Sequence, residues 1–325
     1  MKGLVFIFCC LAGLSGCASS GRQTVAQDAN FIIIKPLPQD DLTSLAIAYL
    51  GHPQDASIIA RYNPQLNLSK GDVVAIPKRN FNPAAVYVNG YQSIPILCYH
   101  QFSAGPANNS MVVSANNFEQ QMAYLQQHDY RVISLQEFHH FTQGQQALPE
   151  KSVVITIDDG YKSYLEIAYP ILKKYGFAST LFIYPDFIGV GSALNWRDVG
   201  FLNNDPLVDI QSHSKSHDNL SPKAGGENSS AYLQRLATEV LDTDKILQQK
   251  IQRTAQYFAY PYGNTSQQLI DLLAKQHYQL GLTVKKGSNP TFASPYLLNR
   301  TMIYADDNLT TFVKQLDGFK QVNLK

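Results

Sequence analysis

The sequence predicts an α/β fold, a (β/α) barrel preceded by a small βααβ unit, and three observations carry the prediction. Apolar β-like runs alternate with helical segments seven or eight times from residue 94 onward, the pattern of parallel strands joined by crossover helices. No glycine-rich phosphate loop follows the first run, which disfavours a doubly wound nucleotide-binding sheet. Over 325 residues, 45% hydrophobic and 16% charged, there is enough apolar material for two buried cores.

The chain opens with Met1-Lys2 and the apolar stretch GLVFIFCCLAGL, the length of a signal-peptide core and too short to span a bilayer. It runs into Leu14-Ser15-Gly16-Cys17, which resembles a bacterial lipobox. That resemblance implies a lipoprotein signal peptide over 1–16, a lipid anchor on Cys17, and export to the cell envelope. Ala18 after the cysteine resembles the pattern that directs Gram-negative lipoproteins to the outer membrane. Residues 17–30 are small and polar and read as a tether. Of the four cysteines, Cys9 and Cys10 leave with the signal peptide and Cys17 is acylated, so only Cys98 is left, inside the apolar run IPILCYH. No disulfide framework is available, and burial suits Cys98 as a small hydrophobe. Lys+Arg 26 against Asp+Glu 25 gives no basic stripe for nucleic acid.

Residues 31–79 read as strand, helix, helix, strand: FIIIKP, DDLTSLAIAYLG, DASIIARYNP and GDVVAIP, with Asp40 or Asp41 and Asp55 as helix caps. Gln39-Asp40-Asp41-Leu42-Thr43-Ser44-Leu45-Ala46, followed by Asn63-Pro64 and then Leu68, Gly71, Val74, Ile76 and Pro77, resembles a LysM carbohydrate-binding module, with Gln39 in place of glycine. The resemblance implies binding to chains containing N-acetylglucosamine; a spacer that has lost the binding surface is the alternative. Residues 80–93 read as a linker, and 94–325 as the second domain. Its strand candidates are IPILCYH, YRVIS, SVVITIDDG, ASTLFIYP, LVDIQSHS, AQYFAYPYG, LGLTV and a less regular LLNRTMIY.

His100, Asp158-Asp159, His213 and Tyr262 all fall at or just past the C-terminal end of such a run, the face on which parallel barrels build their sites. His128, His139, His140 and His277 lie in helical segments and read as solvated. Two adjacent carboxylates at the mouth of a buried strand need a cation or a proton to neutralise them, beyond the turn that Asp-Gly alone would explain. His213 and His217 in HSKSH are spaced to face one side of a helical turn. One carboxylate with two imidazoles leaves open positions on a divalent metal, as a catalytic site requires.

Thr156-Ile157-Asp158-Asp159-Gly160, His213-Ser214-Lys215-Ser216-His217 and Tyr260-Pro261-Tyr262-Gly263 together resemble the motifs of NodB-type polysaccharide deacetylases, carbohydrate esterase family 4. The resemblance spans about 94 to 319 and implies a distorted (β/α) barrel. It implies that Asp158 is the catalytic base, that Asp159, His213 and His217 hold a divalent metal, zinc first, and that the Tyr262 backbone N–H joins the oxyanion site. Ala259 stands where the family has an arginine that orients the base, and the C-terminal L-x-x-H is absent, with Leu298-Asn299-Arg300-Thr301 in its place. Leu97-Cys98-Tyr99-His100 instead resembles the poly-N-acetylglucosamine deacetylase branch, which implies His100 as the general acid and offers Arg300 in place of the missing arginine. Trp196 is a candidate wall of the substrate groove, with Arg300 beside it, or else core packing.

The expected activity is metal-dependent removal of acetyl groups from N-acetylglucosamine in peptidoglycan or poly-N-acetylglucosamine. An O-acetyl esterase with the same centre is one alternative. The other is an inactive glycan-binding envelope lipoprotein, favoured by loss of the family arginine and late histidine and opposed by retention of the paired carboxylates and both histidines.

Overall fold

The computed structural model describes residues 21–79, 81–106, 109–222 and 226–322. The expected signal peptide, Cys17 and the start of the tether lie outside the described residues. Among those described, no helix is long and apolar enough to cross a membrane. The chain divides into two units, residues 1–78 and 79–325.

In the first unit an antiparallel sheet of β1 (Gln23–Gln27), β2 (Phe31–Lys35) and β3 (Val74–Pro77) packs on α1 (Leu42–Leu50) and α2 (Ala56–Tyr62). Ile34, Leu45, Ala46, Ile59, Val74 and Ile76 form its core. The βααβ order matches the expectation, but the tether does not stay a tether. Its residues 23–27 form β1, paired with β2, and Arg22 beside them makes a two-pronged ion pair with Asp40 (2.9 and 2.6 Å). A polar strand at a sheet edge exposes every side chain, so hydropathy gives no sign of it. Asp41, not Asp40, caps α1, accepting the Ser44 N–H in a capping box.

The second unit begins with a hairpin, β4 (Val86–Tyr87) and β5 (Gly90–Gln92), where a linker was expected. β5 pairs with β17 (Phe319–Gln321) at the other end of the unit. Gly90, at φ +151, is required there, because a Cβ would run into the Lys320 carbonyl oxygen. Between these ends run β6 (Ile94–Tyr99), β7 (Gln101–Ser103), β8 (Val112–Ser114), α3 (Ala115–Gln127), β9 (Arg131–Ile133), α4 (Leu135–Thr142), β10 (Ser152–Ile157), α5 (Tyr169–Tyr175), β11 (Ser179–Ile183), α6 (Trp196–Asn203), β12 (Val208–Ser212), α7 (Ser229–Ala237), α8 (Thr243–Ile251), β13 (Tyr257–Ala259), α9 (Gln267–Lys275), β14 (Leu280–Leu282), β15 (Ser288–Asn289), β16 (Thr301–Met302) and α10 (Leu309–Lys314).

Parallel strands lie in the spatial order β6-β10-β11-β12-β13-β14, with β9 beside β10 and β15 antiparallel to β6. The sheet is curled. Leu298 bridges Leu282 of β14, and β16 pairs with Leu97 and Cys98 of β6, so the segment 298–302 spans from the last parallel strand to the first. The expected barrel is therefore a curled sheet with an irregular seam. The strands that a regular barrel would use there are short and lack a continuous ladder.

Side-chain alternation sorts the strands into two faces. Odd positions such as Leu97, Tyr99, Ile155, Ile157, Leu181 and Ile183 pack under the helices, where Phe118, Leu172, Leu202, Leu236 and Leu269 meet them. Even positions such as Ile94, Ile96, Val154 and Phe182 join Ala259, Leu282 and Leu298 in a separate inner cluster, with Phe138 and Phe141 of α4. Asp158 follows Val154 and Thr156 in phase, and His100 follows Ile96 and Cys98. Both are therefore carried onto the inner face at the C-terminal end of the strands.

Candidate active site

His100, Asp158, Asp159, His213, His217 and Tyr262 line one cavity of about 540 Å³ in the mouth of the curled sheet. This is within the usual size of a small-ligand site. All the strand-end residues singled out from the sequence meet there.

Asp158 extends the β6–β10 ladder through its N–H to the Tyr99 carbonyl (2.9 Å), and its carboxylate is buried. Arg300, fully buried, forks onto it: Nη1 donates to Oδ1 and Nη2 to Oδ2, both at 2.7 Å. The Arg300 Nε donates to the Thr283 carbonyl, which fixes the plane of the guanidinium. Cys98, also buried, turns its thiol to Asp158 Oδ2 at 3.6 Å. Burial would push the Asp158 carboxyl up, but the Arg300 charge, helped by His213 and by the paired hydrogen bonds, outweighs it and holds the group well below the usual carboxylate range. Burial pushes the Cys98 thiol well up, so it stays protonated and can only donate to the carboxylate.

Asp159 turns away from its neighbour at φ +78. Its Oδ1 is buried with no hydrogen-bond partner among the described residues, and it lies 3.6 Å from His213 Nε2 and 3.5 Å from His217 Nε2. Burial and then the Asp158 charge push its carboxyl up to about 7. The two adjacent carboxylates are thus split, one held ionised and the other poised near neutrality. His213 Nδ1 is 2.7 Å from the Ala259 carbonyl oxygen, which only accepts, so Nδ1 carries the hydrogen and Nε2 keeps its lone pair toward Asp159. Burial presses His213 down to about 3 and lowers His217 as well. Three ligand atoms within 4.8 Å of one another, one an orphaned carboxylate oxygen and two on neutral imidazoles, fit a divalent cation.

HSKSH is not a helical turn. Residues 213–217 leave β12 irregularly, with Ser214 and His217 at φ +65 and +60. The histidines converge through this left-handed turn and not through helical spacing. Their rings meet edge to face at 4.8 Å, and His217 meets Tyr262 in the same way at 4.7 Å. Tyr262 itself sits at φ +59, in a turn that Gly263 makes possible. A Cβ on Gly263 would fall 2.5 Å from Val284 Cγ2.

Two groove candidates move. Arg300 is not a groove wall: it has no exposed surface and lies behind Asp158, entering from the seam of the sheet. Trp196 starts α6, packs against the outer core and carries the Lys250 ammonium 5.9 Å from its ring; it does not line the cavity. Tyr161, Tyr304 and Met302 line it instead. His100 has a buried Nδ1 with no partner among the described residues, and burial presses its pKa down to about 4. Its resting form at neutral pH is therefore the neutral imidazole.

The polysaccharide deacetylase family matches residues 145–281. YxkH of Bacillus subtilis (strain 168), itself inferred to be a polysaccharide deacetylase, is 27% identical over 230 residues, spanning 70% of this chain and 77% of that protein. The poly-β-1,6-N-acetyl-D-glucosamine N-deacetylase of Staphylococcus aureus (strain MRSA252) is 25% identical over 225 residues, 68% of this chain and 77% of that one. The Streptococcus pyogenes deacetylase PplD in complex with acetate has the same fold, with a TM-score of 0.62 at 23% identity over 69% of this chain and 98% of its own. With the strand-end carboxylates and imidazoles in that setting, the chain carries a NodB-type polysaccharide deacetylase domain, of carbohydrate esterase family 4.

Proposed function

We propose that this protein hydrolyses the acetamide of N-acetylglucosamine units in an envelope or extracellular polysaccharide, peptidoglycan or poly-β-1,6-N-acetylglucosamine, releasing acetate. The observation that carries the reading is the split carboxylate pair: Asp158 kept ionised by Arg300, next to an orphaned Asp159 oxygen that faces two neutral imidazoles. The named activity of the Staphylococcus aureus relative supports the substrate class.

Asp159, His213 and His217 would hold a divalent cation, zinc first. Bound there, it supplies Lewis acidity toward an acyl oxygen and toward water. Asp158 takes the proton of the attacking water, and Arg300 keeps its carboxylate ionised and aligned. The Tyr262 backbone N–H donates to the acyl oxygen as charge develops on it. His100, neutral at rest, has a nitrogen within 4.8 Å of an Asp158 oxygen. It receives the water's proton from Asp158 and passes it to the departing amine. Arg300 also answers the strongest argument for an inactive protein, because a guanidinium reaches the base although position 259 is alanine. Residues 31–79 are read as a LysM-like module that holds the enzyme on insoluble glycan, and Cys17 as its lipid anchor to the outer envelope.

The deciding experiment measures acetate released from poly-β-1,6-N-acetylglucosamine, peptidoglycan and O-acetylated xylan, after chelation and after zinc is restored. Cation-dependent release from an N-acetylated polymer is expected; release from the xylan alone would make the protein an O-acetyl esterase. Deleting residues 31–79 should lower release from insoluble polymer and spare soluble oligomers, and equal loss on both would make the module structural.

The cation should also be taken up with a proton count set by Asp159. His213, pressed down to about 3, is already neutral at pH 6 and burial favours the neutral form of His217 as well, while Asp159, near 7, is mostly protonated. Affinity should therefore rise about tenfold per pH unit below 7 and level off above it, with about one proton released per ion at pH 6. Calorimetry in two buffers of different ionisation enthalpy reads that number. Release of two or more would mean that the histidines begin charged.

A further inference from the structure

The helix from α7 to α8 runs through a π turn, Thr238–Asp242. Such single π turns inside α-helices are rare and are frequent at functional sites. This one carries Glu239, a buried acid 6% exposed. The Thr243 hydroxyl donates to the Glu239 carbonyl at 2.8 Å, which satisfies an acceptor within the widened turn.

The Glu239 carboxylate reaches the 213–217 turn. Oε2 accepts the backbone N–H groups of Lys215 (3.0 Å) and Ser216 (2.9 Å), and Oε1 accepts the Ser216 hydroxyl (2.6 Å). Two successive peptide N–H groups make a small anion-binding nest, and an ionised acceptor binds them more strongly than a neutral one. The turn needs holding, because Ser214 and His217 both sit in a conformation that residues with a side chain rarely adopt. Within the turn, the His217 N–H donates to the Ser214 hydroxyl oxygen (3.0 Å). Glu239 thus pins the two peptides between the two histidines.

We propose that Glu239 is a positioning residue for the cation site: by fixing the Lys215–Ser216 peptides it sets the His217 imidazole against Asp159. This rests on the cation reading of Asp159, His213 and His217 given above. The carboxylate touches neither the cavity nor the reacting atoms, so its effect must appear first in ion affinity and in the state of His217.

The test uses the full chain with Glu239→Ala and Glu239→Gln. The zinc dissociation constant is read by competition with a chromophoric chelator, and the His217 imidazole by long-range proton–nitrogen spectra of the cation-free protein. Glu239→Ala should weaken zinc by about 10–100-fold, the usual effect of removing a group that orients a ligand, and should shift or broaden the His217 signals. Glu239→Gln keeps a neutral oxygen for the two N–H groups and should fall between. Wild-type zinc affinity with unchanged His217 signals in Glu239→Ala overturns the proposal, even if the melting temperature drops. Should that variant fail to fold, Glu239→Gln decides, and wild-type affinity there overturns it. Wild-type protein that binds no zinc defeats the cation reading instead, and the His217 spectra still judge Glu239.

Discussion

Replacing Arg300 with Met should cost about 3–5 kcal/mol of stability at neutral pH, because it leaves the Asp158 carboxylate buried without its partner. Activity should fall with it, by at least about 100-fold in kcat, the scale of a misplaced reacting group. The pH dependence carries the sharper signature. In the wild type the Asp158 pKa is depressed below its unfolded value, so its stabilising contribution is full above that unfolded value, near 4, and is lost as pH falls through the lower folded one. Without Arg300, burial prevails and the folded pKa is raised, so the contribution reverses and stability drains as pH rises. Urea unfolding at pH 5 and 7.5 should therefore show a larger deficit for Arg300→Met at the higher pH. Adding Asp158→Leu should recover most of the loss while leaving the enzyme inactive, since an apolar pair can replace a buried ion pair at little cost. A double variant no more stable than Arg300→Met would show that the pair is not the source of the deficit.

The second large effect separates the histidines. His213→Ala with His217→Ala should empty the cation site and lower kcat by about 10³-fold or more, since a bound ion contributes several kcal/mol to an acyl-transfer barrier. His100→Ala should lower kcat by about 10²–10⁴-fold, the size of a lost acid–base group, yet leave zinc content at the wild-type level. Metal analysis of the purified proteins beside acetate release reads both. Full occupancy in the double variant would remove His213 and His217 from the ligand set. Loss of zinc in His100→Ala would place His100 in it.

Much of this site was legible in the sequence because the phase of a β-strand is local. Val154, Thr156 and Asp158 alternate, as do Ile96, Cys98 and His100, so a reader who has the strands has the inner face. Asp-Asp-Gly and the paired histidines then stand out at strand ends. What could not be read depends on distance along the chain. Arg300 meets Asp158 across 142 residues, from a segment whose apolar pattern is the least regular of the series, so only the family resemblance offered it as the base's partner and no local pattern did. Glu239 looks like any acid on a helix, because nothing in its neighbours signals a π turn. HSKSH has helical spacing, and only its surroundings impose the left-handed backbone. The hairpin at 86–92 was within reach, since Asn89-Gly90 is a turn signal, although the loop itself is Val88-Asn89 and Gly90 already pairs with Tyr87. Its pairing partner, at the far end of the unit, was not.

That clasp has a consequence for how the protein comes to be folded. β5 stands at the start of the deacetylase unit and β17 at its end, and Gly90 admits the Lys320 backbone without a gap. The Asp158–Arg300 pair is closed late in the same way. A chain emerging from the ribosome therefore holds an open strand edge and a solitary buried acid until its last segments arrive. Contacts of this span make folding slow and leave such intermediates prone to pair with other chains. Chains cut short before residue 319 should accumulate as aggregates or protease targets, so the clasp ensures that the unit reaches its final state only when it is whole.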